Sequence, residues 1–174
     1  MKNIDMKALF SMTYGMYIVS TGFDGKLNGQ TANAVMQITA DPISITTCLN
    51  KANLTTEMIQ KSKIFSVSIL EFDVPMTFIG RFGFKSGRDI DKFEETKYIL
   101  GDTGAPMVTD WSIASFEANV TNTVDLSTHI LFVGEVVSAK FIKEALPLTY
   151  ADYHRVKKGK SPETAPTAGF NSLK

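Results

Sequence analysis

Cysteine is nearly absent from this 174-residue chain: Cys48 stands alone, so no disulfide can form within it. Histidine is scarce as well. With only His129 and His154, a Cys/His zinc or iron–sulfur site has too few ligands, and no metal site is expected. Neither sign of charge is in excess, since 18 Lys and Arg balance 18 Asp and Glu. Without a long basic run, the chain lacks the electrostatic footprint of a protein that lives on nucleic acid or on anionic membranes. No stretch approaches the roughly 18 continuous apolar residues of a membrane helix. The N-terminal Met1 to Lys7 precede mixed sequence rather than the apolar core of a secretory signal. A reducing, cytoplasmic setting is therefore expected. Two motifs are also missing. There is no Gly-x-Gly-x-x-Gly, so a nicotinamide cofactor, if used, would be a transient substrate outside a Rossmann fold. No nucleophile elbow accompanies the Ser, His and Asp residues.

What is present is ordinary globular composition, 44% hydrophobic and 21% charged, enough for one domain over residues 1–174 to bury a core. Internal repeats and low-complexity linkers are not found. Ala8 to Phe10 suits a short helical turn, and Gly15 to Thr21 reads as a strand rich in aromatic and β-branched residues. Phe23-Asp24-Gly25-Lys26 carries a hairpin signal, with a second strand from Gly29 to Met36. Ala40-Asp41-Pro42 breaks the chain before the alternating Ile43 to Thr46. Asn53 to Ser62 has the N-cap, spacing and terminal charge of a short helix. Ile64 to Leu70 alternates, with Phe65, Val67 and Ile69 on one face and Ser66 and Ser68 on the other. Pro75 marks a helix from Val74 to Arg81. Asp91 to Tyr98 suggests an exposed helix or loop, and Gly101 to Pro106 an irregular connection. Ile113 to Val124 is a long alternating strand; after a turn at Asp125 to Thr128, His129 to Val137 is apolar on both faces, as in a central strand. From about residue 145 to 174 the chain reads as an extended, Pro-containing tail. Many short strands with few helices argue for a closed or partly closed antiparallel barrel.

Three polar pieces interrupt these elements: Asn28 to Ala34, Thr47 to Thr56, and Phe82 to Asp89 with Lys92 behind it. Each offers small hydroxyl, amide or glycine positions suited to an anionic ligand. In the second, a strand runs through Asn50-Lys51-Ala52 into a helix whose first turn carries Thr55 and Thr56. Two readings stand there: open amides that bind phosphate with help from Lys51, or a helix capped by Asn53 with solvated threonines. Arg88 and Lys92 are either phosphate contacts or charges on a surface turn. Cys48 follows Thr46 on a strand and either faces a ligand or fills a small buried space. His129 shares a face with Leu131 and Val133, and is either a satisfied structural histidine or a strand-end residue that meets substrate.

Taken in order, Tyr14 to Val19, Asn28-Gly29-Gln30-Thr31-Ala32-Asn33, Asn50-Lys51-Ala52-Asn53-Leu54-Thr55, Phe82-Gly83-Phe84-Lys85-Ser86-Gly87-Arg88-Asp89 with Asp91-Lys92-Phe93, and Thr128 to Val136 resemble one known family. It is the flavin reductase-like FMN-binding split-barrel family, in the branch of flavoredoxin and the flavin domain of high-molecular-weight rubredoxin. Pro147 to His154 and Lys157 to Pro162 extend the match over nearly the whole chain. The resemblance implies a mainly β, antiparallel Greek-key split barrel that forms a homodimer and holds FMN tightly but non-covalently. Electrons would pass from NADH or NADPH through FMN to free flavin, or to a separate carrier such as rubredoxin or a flavodiiron protein, because the Cys-x-x-Cys iron site of rubredoxin-bearing members has no counterpart in this sequence. The alternative within the family is a non-enzymatic FMN electron-transfer protein reduced by a protein donor. By matching positions, Thr31, Ala32, Asn33, Cys48, Leu49 and Asn50 would lie at the ring and ribityl chain, with Ala34 and Lys51 also among the cofactor-binding residues. Asn53, Thr55, Thr56, Arg88 and Lys92 would hold phosphate and ribityl groups, with Phe82 and Gly83 beside them. His129 would contact flavin or nicotinamide.

Overall fold

The computed structural model describes residues 5–168. In chain order the elements are α1 (Met6–Leu9), β1 (Tyr17–Phe23), β2 (Lys26–Ala32), β3 (Val35–Ala40), β4 (Ile43–Asn50), α2 (Leu54–Ser62), β5 (Ile64–Leu70), α3 (Met76–Phe84), β6 (Tyr98–Leu100), β7 (Pro106–Val108), β8 (Ser112–Leu126), β9 (His129–Phe141) and α4 (Tyr150–Arg155). Seven strands form one antiparallel sheet in the order β2-β1-β5-β8-β9-β4-β3, and β6 pairs with β7 separately.

The local signals explain most of these boundaries. Asp24 and Gly25 take φ of 52° and 69°, the two positive values of a tight hairpin turn, so Phe23 pairs with Lys26. The single strand expected from Gly29 to Met36 is instead two, because the chain turns a corner between Ala32 and Val35. There Val35 N donates to Asn33 O at 3.1 Å and Cys48 N donates to Ala34 O at 3.0 Å. These bonds carry the chain from one edge of the sheet to the other. The sheet curls until β2 and β3 adjoin at this corner without pairing, which makes the split barrel.

Alternation places Val19, Phe65, Val67, Ala118 and Phe132 on the concave side, and Ile59 of α2 packs against them. A second cluster, with Ile18, Leu70, Ile79, Phe82, Phe93 and Leu148, fastens α3 and the C-terminal segment to the outer face. The serine face of β5 is buried too, since Ser66 Oγ donates to Pro106 O at 2.6 Å and the Ser68 and Ser115 hydroxyls bond at 2.8 Å. Glu117 beside them is fully buried, and it accepts from Asp102 N at 2.7 Å and Thr103 N at 2.9 Å. Those charge-assisted bonds offset its desolvation and hold the 101–105 connection over the sheet. That connection is irregular, as expected, and joins the short strands β6 and β7.

Three further expectations shift. The helix marked by Pro75 begins one residue beyond it and runs through Phe84, taking Phe82 and Gly83 into its last turn. The turn after β8 shrinks to Ser127 and Thr128. The tail is interrupted by α4, whose N-cap Thr149 accepts from Asp152 N at 3.0 Å. Residues 1–4 and 169–174, which include the start of the expected N-terminal region and the end of the tail, lie outside the described residues.

Gly134 in β9 is required by packing. A Cβ there would sit 2.6 Å from Phe65 Cε1 and 2.9 Å from Ala118 Cβ, both fully buried. Gly134→Ala is expected to lower unfolding free energy by about 1–3 kcal/mol through overpacking. Urea titration should show a lower midpoint with an unchanged slope.

Candidate functional site

A cavity of about 680 Å³ opens beside the β2–β3 corner, within the roughly 300–1,000 Å³ usual for small-molecule sites. Strand β2 supplies one wall. Its residues alternate faces, so Asn28, Gln30 and Ala32 share a side and all three line the cavity. Across it lie Cys48, Leu49 and Asn50 at the end of β4, then Asn53, Leu54 and Thr55 at the start of α2. Phe82 to Gly87 and Lys92 form a further side, and Tyr150, Tyr153 and residues 160–166 cover the opening.

The start of α2 is built for an anion. Asn53 occupies the N-cap position, yet its side chain accepts no capping bond. The first-turn amides therefore keep the partial positive charge of a helix N-terminus. Asn50 tightens the approach by accepting from Ala52 N on Oδ1 at 3.0 Å, while Thr56 Oγ1 donates to the Asn50 carbonyl at 2.7 Å. Asn28 Nδ2 donates to Thr55 Oγ1 at 2.9 Å. Glu57 could neutralise this end, but it is turned outward to Lys61 at 2.8 Å and Arg88 at 3.2 Å. The Lys61 hydrogen bond and charge, then the Arg88 charge, hold its carboxyl below the usual range.

Lys92 is buried at the cavity wall and donates to Gly29 O at 2.9 Å and Phe82 O at 3.2 Å, tying β2 to α3. An ammonium has three N–H groups, so one remains. Burial lowers its pKa from 10.5 to about 8, as expected where a charge is taken out of water without a carboxylate partner. Asn28 Oδ1 and Gln30 Oε1 are buried acceptors with no partner. Such groups are costly unless a ligand or water meets them. Cys48 is half-buried and free, and burial pushes its thiol up, away from thiolate. Among the described residues no cluster of His, Cys, Asp and Glu could hold a metal.

Of the residues singled out in the sequence, Thr31, Ala32, Asn33, Cys48, Leu49, Asn50, Asn53, Thr55, Phe82, Gly83 and Lys92 line this cavity. Five others stand outside the lining. Ala34 accepts from Cys48 N at the corner, and Lys51 pairs with Asp125. Thr56 is buried under its bond to Asn50 O, and half-exposed Arg88 pairs with Glu57. His129 pairs across the ladder with Asn50; its Nδ1 bonds Thr128 Oγ1 at 2.8 Å, and its Nε2 is buried without a partner.

Asn28, Gln30, Tyr150 and Tyr153 were not singled out as contacts. The period of β2 carries a signal for the first two, since they stand four and two residues before Ala32. For the tyrosines, the signal is Thr149-x-x-Asp152, a helix start that sets Tyr150 and Tyr153 three apart on one face. The Tyr150 hydroxyl bonds Ser161 and, at 2.6 Å, Thr167 Oγ1; Thr167 Oγ1 in turn accepts from Asn33 Nδ2 at 3.1 Å. Tyr153 donates to Lys160 O at 2.7 Å. These bonds draw the tail across the cavity of its own chain.

The sequence pattern that defines the flavin reductase like domain matches residues 9–159. A ferric-chelate reductase (NAD(P)H) of Archaeoglobus fulgidus is 48% identical over 97% of this chain and 99% of its own. A high molecular weight rubredoxin of Moorella thermoacetica is 47% identical over 94% of this chain and 72% of its own. The crystal structure of a flavoredoxin from Methanosarcina acetivorans superimposes with a TM-score of 0.70 at 23% identity, covering 83% of this chain and 73% of that one, a likeness of fold.

The buried ammonium has a pH signature in the ligand-free protein. Between about pH 8 and 10.5 the unfolded chain holds a proton on Lys92 that the folded chain has released, so stability rises with pH across that window. The rise is at most about 3.5 kcal/mol at 1.4 kcal/mol per pKa unit. Lys92→Met should remove it, measured as the difference from wild type in urea unfolding at pH 7.5, 9 and 10.5. Parallel curves for the two proteins would show that Lys92 is not buried as a charge.

Proposed function

Because the chain belongs to the flavin reductase like family, we propose that the cavity holds FMN and that the protein passes electrons from NADH or NADPH through it to free flavin or a redox protein. The observation that carries this reading is a cavity lined both by an uncapped helix N-terminus and, toward the β2–β3 corner, by the apolar Ala32 and Leu49. The first suits a phosphate, and the second suits a flat ring. The orphaned acceptor on Gln30 fits a ligand that also carries N–H and O–H groups.

Bound FMN would supply the hydride-accepting and electron-releasing chemistry. The chain does the holding. The first turn of α2 and Thr55 take the phosphate, and the third N–H of Lys92 adds a positive point charge beside it. The ends of β2 and β4 orient the ring through Thr31, Ala32, Asn33, Cys48, Leu49 and Asn50. Residues 160–166 shield it from water, leaving a donor and an acceptor to approach in turn. Neither His129 nor Arg88 lines the cavity, and Arg88 is paired with Glu57, so they contribute less to binding than the cavity residues. We also assign a homodimer, supported by the exposed Met36, Ile38 and Ile43 of the β3–β4 hairpin. A cytoplasmic location is consistent with the described helices, none of which is long and apolar enough to cross a membrane.

The A. fulgidus relative favours a second acceptor, because the two chains match over nearly their full lengths and that protein is named for ferric chelates. Anaerobic NADH or NADPH is expected to bleach the absorbance of the bound flavin, and oxidised rubredoxin, free FMN or Fe(III)-EDTA to restore it, which ranks the acceptors. Reduction by dithionite with no response to either pyridine nucleotide would leave an electron-transfer protein. Colourless protein that takes up no FMN would remove the flavin reading altogether. Tyr150→Phe, which loosens the tail, should speed FMN release roughly threefold to tenfold in stopped-flow exchange.

A further inference from the structure

We propose that Asn28 makes this site selective for a phosphorylated flavin by fixing the Thr55 hydroxyl as a donor into the cavity. The inference rests on the FMN reading above. A threonine hydroxyl has one proton and can either give it or keep it available. Thr55 Oγ1 accepts from Asn28 Nδ2 at 2.9 Å, and among the described residues nothing takes its own proton. The lone pair is thereby directed at Asn28, and the O–H is left for the cavity that Thr55 lines. Thr56 is the contrast within the same turn. Its hydroxyl donates to Asn50 O at 2.7 Å and has nothing to offer a ligand.

Two observations show that the Asn28 carboxamide is held for this purpose. It is only 3% exposed, and its Oδ1 has no partner, so it is not oriented by a better bond elsewhere. A Cβ at position 87 would collide with that Oδ1, so the 85–87 loop closes over the carboxamide only because position 87 is glycine. The uncapped α2 amides and the Thr55 O–H then converge on one anion. Along β2, Asn28 and Ala32 are four residues apart, about 14 Å at the rise of an antiparallel strand. The anion end and the ring end are thus separate, and a change at Asn28 acts on one of them.

The discriminating experiment is the dissociation constant of FMN and of riboflavin, by flavin fluorescence, for wild type, Asn28→Ala, Asn28→Asp, Gly87→Ala and Thr55→Val. The Asp variant keeps the shape but is only an acceptor, so it draws the Thr55 proton to itself. Each variant is expected to bind FMN about 10- to 100-fold more weakly, the scale of one hydrogen bond to a charged group, with riboflavin binding changed by less than about threefold. A merely structural role for Asn28 would weaken both ligands alike, and that result, or unchanged FMN affinity, overturns the proposal. If Asn28→Ala does not fold, Gly87→Ala and Thr55→Val, which add no charge beside the anion, carry the same comparison. Wild-type protein that binds both flavins equally also overturns the proposal, whereas wild-type protein that binds neither fails the parent reading instead.

Discussion

Each edge of a β-sheet leaves a row of backbone N–H and C=O groups without partners, and in this molecule both edges belong to strands that are consecutive in the chain. Because β2 leads directly into β3, curling the sheet brings the two edges together at Asn33 and Ala34, where geometry allows a bend but no ladder. The gap beside that corner cannot be filled by strand pairing. It is filled instead by α2, α3 and the tail, and what they leave open is the cavity. Lys92 shows the same constraint at atomic scale, since its ammonium supplies a donor to Gly29 O of the edge strand β2.

Charge within the site follows from this arrangement rather than from composition. The chain is neutral overall, yet the cavity gathers an uncapped helix N-terminus and a buried ammonium, while the nearby acid Glu57 is drawn off by Lys61 and Arg88. An anion placed there would meet fixed donors in a partly dry setting, where electrostatic contacts are stronger than in water. The pairing of Arg88 with Glu57 keeps a carboxylate away from the helix start.

Much of the fold was legible because its signals are local. Asp24-Gly25 specifies a turn, Ile64 to Leu70 alternates, and Asn53 stands where α2 begins. The corner at Asn33 and Ala34 was not legible, since no glycine or proline marks it and the bonds that stabilise it come from Cys48 far along the chain. Burial of Ser66, Ser68 and Glu117 was hidden for the same reason: each is satisfied by a group roughly 15 to 47 residues away. At the site, the three polar pieces do converge, but sequence weighs residue type and cannot see what a side chain already holds. Thr55 and Thr56 are identical in type and adjacent, and only their partners separate an available proton from one already given to Asn50. The pairing of Arg88 with Glu57 and of Asn28 with Thr55 is likewise invisible in residue type.

The two ends of the cavity also differ in how firmly they are built. The anion end is made from β2 and α2, held by ladder bonds and by the barrel core through Ile59. The cover is a different kind of structure. Residues 160–166 form no strand or helix, and the bonds made by Tyr150, Tyr153 and Thr167 are mostly between hydroxyls or from a hydroxyl to one carbonyl. Segments with few backbone bonds open at a lower free energy than the elements beneath them. A ligand held by its charged end on rigid elements and covered at its ring end by such a segment can stay bound while the cover moves. On the proposed FMN reading, that division would let reactants reach the ring without releasing the molecule that carries it.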